Sequence, residues 1–201
     1  QIFIDESKSL TFQDIKEITT FQKNSKKLLA FGYSPNFTVW IKFTLKNKTD
    51  QSIQKIIEYA NSLTTHLEFY NSKTNNLVHS GLFHIDNDRK TINPSFRIQL
   101  KAQESVTYYI KASSHITSLI IKLHILNVNS FYTKELKHQF ILALFFGAMI
   151  IISVYNLFIY FFTKDISYLY YVLYIFGMIL QHSLYLRKDQ KTNLNQLFSN
   201  N

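Results

Sequence analysis

The chain has 201 residues, enough for one or two domains. Apolar residues make up 46% and charged residues only 17%, which excludes both a disordered chain and a highly charged soluble one. With no cysteine, 4 Gly and 2 Pro, it has no disulfide framework, thiolate metal centre or thiol nucleophile, and no Gly-rich phosphate loop or Gly/Ser linker. The net charge of +9 sits in a chain rich in Lys, Asn and Ile and reads as the codon bias of an AT-rich genome, not as a nucleic-acid footprint.

Gln1 runs directly into IFIDES, which reads as the start of a mature chain after processing. Thr11–Ile18 is the one helix expected early in the chain, with Thr11 as cap and Asp14 three positions on. Alternating runs then follow one another. Val39, Ile41, Phe43 and Leu45 share one phase in Thr38–Leu45, and Gln54–Ala60 carries Ile56 and Ile57. His66–Asn71 puts Leu67 and Phe69 inside, and Leu77–His84 is a strand broken around Gly81. Ser95–Lys101 sets Phe96, Ile98 and Leu100 against Arg97 and Gln99. Ser105–Ala112 sets Val106, Tyr108 and Ile110 against Tyr109 and Lys111, and Ser118–Leu126 sets Leu119, Ile121, Leu123 and Ile125 against Lys122 and His124. Asx-rich turns separate the runs at Asn47–Asp50, Asn71-Ser72, Asn75-Asn76, Asp86-Asn87-Asp88 and Asn93-Pro94. Seven or eight short strands at this spacing predict a mainly β domain over residues 1–130, an antiparallel sandwich of jelly-roll type.

Residues 131–139 read as a juxtamembrane helix leading into residues 140–162, which carry no charge. As a helix that stretch is ~34 Å long, enough to cross a hydrocarbon core of ~30 Å. Residues 163–167 break the pattern, residues 168–186 form a second uncharged stretch, and residues 187–201 are a polar tail. The pair predicts a transmembrane hairpin with the lipid bilayer as partner. Tyr160, Tyr168, Tyr170 and Tyr171 flank the break as an interfacial aromatic belt would. Lys134, Lys137, Arg187, Lys188 and Lys191 lie beyond the outer ends and Lys164 lies in the break. That count alone favours both outer ends inside, but a large translocated domain overrides it. Asn156 within the first span needs a hydrogen-bond partner, either Tyr174 on the second helix or a helix outside this pair.

Three segments together resemble a known family: GYSPNFTVWIKFTLKN at Gly32–Asn47, HLEFYN at His66–Asn71, and SFRIQLKAQESVTYYIKAS at Ser95–Ser113. They are similar to the type 2 extracellular domain of bacterial seven-transmembrane receptors with diverse intracellular signalling modules (7TMR-DISM). YNLFIYFFTKDISYLYYVLYIF at Tyr155–Phe176 resembles the first helix hairpin of that family's membrane domain. The resemblance implies a periplasmic jelly roll that binds carbohydrate or a similar small ligand, seven helices, and a cytoplasmic output module. This chain carries two spans and no output module, as a truncated product would.

Enzyme signals are absent: there is no nucleophile elbow, no HExxH and no phosphate loop, and no cofactor is implied. His79 and His84 do not have the spacing of a helical metal pair, Asp86 and Asp88 read as a turn, and the basic residues form no nucleic-acid platform. Strand phase gives one candidate ligand site, the outward set of Trp40, Glu68, Tyr70, Arg97 and Tyr109. Aromatic planes stack on sugar C–H faces, and fixed charged groups pair with hydroxyls. The same set has a structural reading, in which the Thr11–Ile18 helix covers the face, Trp40 sits in a second small core and Arg97 pairs with Glu68 across strands. The expectation is a membrane-anchored sensor that binds a small ligand, perceives it outside the cytoplasm of a bacterial inner membrane, and signals through its helices to a separate protein. The alternatives are a membrane-anchored protein-interaction domain and a remnant of a longer receptor.

Overall fold

The computed structural model describes residues 1–84, 91 and 93–197, with side chains to residue 181, so the expected Asp86-Asn87-Asp88 turn lies outside the described residues. The chain divides into two compact units, Gln1–Phe131 and Tyr132–Asn201. The first holds strands β1 (Ile2–Asp5), β2 (Leu29–Tyr33), β3 (Thr38–Lys46), β4 (Ile53–Tyr59), β5 (His66–Asn71), β6 (Leu77–Ser80), β7 (Ser95–Leu100), β8 (Ser105–Ser113), β9 (Ser118–Ile121) and β10 (Leu123–Asn127), with helix α1 (Phe12–Glu17) between β1 and β2. All pairings are antiparallel. A five-stranded sheet runs β1-β3-β8-β5-β6, a three-stranded sheet β10-β4-β7, and a two-stranded sheet β2-β9.

The alternation read from the sequence fixes which side of each strand is buried. Val39, Ile41, Leu67, Phe69, Val106, Tyr108, Ile110 and Ala112 of the five-stranded sheet interlock with Ile57, Tyr59, Phe96, Ile98 and Leu100 of the three-stranded sheet and with Leu119 and Ile121 of β9. Phe69 stacks on Phe96 at 4.5 Å and on Tyr108 at 5.4 Å, so one ring ties β5 to both its neighbour β8 and the opposite sheet. The Tyr59 hydroxyl donates to the Ile120 carbonyl (3.1 Å) and accepts from Thr64 Oγ1 (3.0 Å), so its burial leaves no polar atom stranded. The turn after β3 is knitted by buried Asn47. Its amide donates to the carbonyls of Gln51 (2.8 Å) and Lys101 (2.7 Å), and its oxygen accepts from Thr49 N (3.0 Å).

The structure departs from expectation in three places. The single strand expected at Ser118–Leu126 is two, which change sheets at Lys122: β9 pairs with β2 and β10 with β4. Unbroken alternation cannot reveal this switch, because both strands keep the same phase toward one core. β1 and β2 were not expected; β1 is a four-residue edge beside β3, and β2 contains a glycine at positive φ that interrupts its pattern. The expected five-residue break between the membrane helices is only Lys164-Asp165. α2 (Val128–Thr163) is one continuous helix that absorbs the juxtamembrane segment, and α3 (Ile166–Leu197) continues as helical backbone into the expected polar tail. Lys164 takes positive φ (57°) after the last turn of α2, and Asp165 Oδ1 accepts from Ser167 N (2.9 Å) as the cap of α3.

α2 has 36 residues, and large apolar side chains such as Phe140, Ile141, Leu144, Ile151, Tyr155, Phe158 and Phe162 stand exposed along it. A helix surrounded by water would not carry so much apolar surface, but one surrounded by lipid does. Among the described residues α2 is long and apolar enough to cross a membrane; the apolar part of α3, Ile166–Gln181, is shorter.

Candidate functional site

The structure brings four of the five expected ligand residues onto the outward face of the five-stranded sheet. Register aligns Trp40 with Lys111, Lys111 with Glu68 and Glu68 with His79, and the next row aligns Lys42, Tyr109, Tyr70 and Leu77. That face is closed by α1. Trp40, Tyr70 and Tyr109 are 0%, 8% and 4% exposed, and with Ile15 they form a second core edged by Phe3, Leu10, Phe12, Ile18 and Phe21. Phe12 stacks on Tyr70 at 4.3 Å, Trp40 stacks on Tyr70 at 5.7 Å, and Tyr109 meets Phe12 edge-on at 5.4 Å. The Lys111 ammonium lies 5.2 Å from the Trp40 ring centre, and Trp40 Nε1 is buried with no hydrogen-bond partner. The Tyr70 hydroxyl donates to Glu68 Oε2 at 2.5 Å; burial first, then that carboxylate, pushes the Tyr70 hydroxyl's pKa well above its ordinary value.

Arg97 does not join this group. It lies on β7 of the other sheet, opposite Ile56, and its exposed side chain belongs to a face on the far side of the core. The expected Arg97–Glu68 pair is likewise not formed across strands, because Glu68 sits between Lys111 and His79. The physical reason is plain: alternation reports phase relative to the core, and the outer faces of both sheets share that phase.

The face that carries Arg97 holds residues that strand phase alone did not single out. Register places His124, Glu58 and Ser95 in one row, Leu126, Ile56 and Arg97 in the next, and Gln54 with Gln99 beyond. Glu58 is 0% exposed although it points away from the main core. Its Oε1 accepts from Asn93 Nδ2 at 2.9 Å, and its Oε2 lies 3.4 Å from His124 Nδ1. Thr91 Oγ1 donates to the Asn93 carbonyl at 2.8 Å and lies 3.2 Å from Ser95 Oγ, so the approach to β7 is held over this row. Gln99 Nε2 donates to Ser52 Oγ at 3.1 Å at the other end. The sequence held one signal for this cluster: a carboxylate near the end of β4, between core-phase Ile57 and Tyr59. Among the described residues, no group of three or more His, Asp or Glu side chains is arranged to hold a metal ion.

In the membrane unit, the Asn156 amide donates to the Ile152 carbonyl of its own helix at 2.8 Å. One N–H of that amide is thus engaged one turn back, as short polar side chains do within helices.

Residues 1–127 match the family described as 7TMR-DISM extracellular 2, and residues 138–188 match the family described as 7TM diverse intracellular signalling. A search of curated proteins returns no match. The two matches follow each other in the order sandwich, then membrane helix, and the first alone spans more than half of the chain. The chain therefore belongs to the 7TMR-DISM family of membrane receptors, with an N-terminal domain of its second extracellular type followed by a segment of its membrane domain.

Proposed function

We propose that this receptor chain senses a small polyhydroxylated ligand, of carbohydrate class, on the outward face of the three-stranded sheet, with the sandwich in the periplasm and the helices in the bacterial inner membrane. The observation that carries the reading is Glu58. A fully buried carboxylate on a face directed away from the core is costly to desolvate and adds nothing to apolar packing, so its place is explained by what it holds in position. It fixes Asn93 and stands beside His124, while Arg97 and the two glutamines offer donors and acceptors in adjacent rows. The aromatic planes first expected to stack a sugar lie under α1, so a ligand on the Glu58 face is held chiefly by polar contacts, with Arg97 supplying the rigid donor fork. Signalling follows if the ligand binds one arrangement of the sandwich better than another, because a ligand with equal affinity for both shifts nothing.

The test is thermal unfolding of the full chain in detergent against a panel of neutral sugars and sugar acids. A binder present at 100 times its Kd adds about 2.7 kcal/mol of stability. Arg97→Ala should abolish the shift, read against the variant's own ligand-free melting temperature. A shift that survives Arg97→Ala, or a panel without a binder, would overturn the reading.

A further inference from the structure

Four of the chain's 7 histidines, far apart in sequence, meet at one end of the five-stranded sheet. The His66 ring at the start of β5 lies 5.2 Å from His84, 5.3 Å from His115 and 5.3 Å from Phe83, and His79 on β6 lies 5.6 Å from His84. Gly81 makes this possible. At φ +113° it turns the chain sharply after β6, and a Cβ there would stand 2.7 Å from the Thr65 carbonyl oxygen. Residues 82 and 83 therefore fold back beside residues 64 and 65, with Leu82 N donating to Thr64 O (2.8 Å) and Phe83 N to Thr65 O (3.1 Å). His115 comes in from the β8–β9 connection, its N donating to Thr65 Oγ1 at 3.2 Å.

Glu68 connects the cluster to the α1-covered core. Glu68 has Oε1 3.9 Å from His79 Nδ1 and accepts the Tyr70 hydroxyl on Oε2, and Tyr70 stacks on Phe12 of α1. Among the described residues, the charged and titratable groups facing this region are His66, Glu68 and Tyr70 from β5, and His79 from β6. His84 follows β6, Tyr109 and Lys111 come from β8, His115 from the β8–β9 connection and Lys16 from α1, its ammonium 4.5 Å from the Phe12 ring centre.

We propose that this histidine cluster is a proton-binding site that sets how tightly α1 is seated: protons taken up by the imidazoles draw Glu68 toward them and away from the Tyr70 hydroxyl, loosening the Phe12–Tyr70–Trp40 stack. Proton uptake places like charges on rings about 5 Å apart, and Glu68 is the carboxylate positioned to offset them. Burial, then His84 and His115, lower the His66 pKa, while Glu68 opposes them. The unfolded chain therefore binds more protons than the folded one between the lowered value and the ordinary ~6.5, so stability falls as pH falls through that window. This site is separate from the Glu58 face, and neither reading depends on the other.

The chain has one tryptophan, Trp40, buried beneath α1, so its emission reports the seating of the helix directly. The full chain in detergent, with a metal chelator present, is titrated from about pH 7.5 to about pH 5, across the ordinary imidazole range. Trp40 emission is expected to move to longer wavelength with a midpoint below ~6.5. The double variant His66→Gln/His84→Gln should abolish the transition, and Glu68→Gln should uncouple the emission from imidazole titrations followed by NMR. Flat emission in the parent chain, or an unchanged transition in the double variant, would overturn the proposal. So would a transition that appears only without the chelator, which would mean metal binding. If the double variant fails to fold, NMR of the parent decides: independent titration of all four imidazoles at ordinary values also overturns it.

Discussion

Phe69 and Tyr70 are adjacent on β5 and point to opposite faces of the same sheet, yet both are buried. Phase alone would leave Tyr70 in solvent; α1 buries it. Phe69→Ala should cost ~3–5 kcal/mol, because the ring bridges two sheets and its cavity is walled by Phe96 and Tyr108. Tyr70→Ala should cost on the order of 3 kcal/mol as well, since it leaves a gap between Phe12 and Trp40. Tyr70→Phe keeps the stack and loses only the bond to Glu68, which is worth about 0.5–1.5 kcal/mol. Chemical denaturation followed by Trp40 emission separates these values. A loss below about 1 kcal/mol for Tyr70→Ala would mean that α1 rests on the face without packing into it.

α1 has six residues, too few to be stable as an isolated helix, so it depends on its ends and on the face beneath it. Its cap was legible in sequence: Thr11 N donates to Asp14 Oδ2 at 2.8 Å, while Asp14 N donates to Thr11 Oγ1 at 3.4 Å. Its landing place was not, because that is set by buried Asp5, which accepts from Ser7 Oγ and from the backbone N–H groups of Lys8 and Leu10 (3.0 and 3.2 Å) and so bends the chain from β1 onto the sheet. Asp5→Ala strands those donors and should cost ~1–3 kcal/mol, with a shift of Trp40 emission that Phe69→Ala does not produce before unfolding. Hydrogen bonds from the Thr11 side chain, then its backbone N–H, hold the Asp14 carboxyl below its ordinary pKa. A depressed carboxyl contributes stability above its unfolded value that is lost only as pH falls through the folded one, so the cap is intact where histidines titrate. The same division separates what sequence revealed elsewhere. β3, β5, β7 and β8 were legible because one alternating set of apolar side chains on each packs into the main core. The sheet change at Lys122, the opposite outward directions of Trp40 and Arg97, and the gathering of histidines from residues 66 to 115 all depend on which strands are neighbours. Alternation carries no information about that.

At the scale of the whole molecule, β10 ends at Asn127 and α2 begins at Val128 with no residue between, and Phe131 of its first turn is 2% exposed. The family match puts a domain of extracellular type ahead of a membrane segment, which argues for the sandwich lying outside the cytoplasm. The basic residues argue weakly the other way, since Lys134 and Lys137 precede the apolar stretch and Lys164 lies in the α2–α3 turn. If the domain is translocated, as its family implies, it overrides so small a count and Lys164 marks the cytoplasmic turn. Reporter fusions after Lys137 and after Asn193 should both show periplasmic activity. The chain contains no cysteine, so a single Lys164→Cys variant gives an unambiguous second readout: an impermeant thiol reagent should label it in inverted vesicles and not in intact spheroplasts. Cytoplasmic activity at Lys137, or labelling of Cys at position 164 from outside, would place the sandwich in the cytoplasm. Neither a periplasmic sugar nor envelope acidity could then reach it.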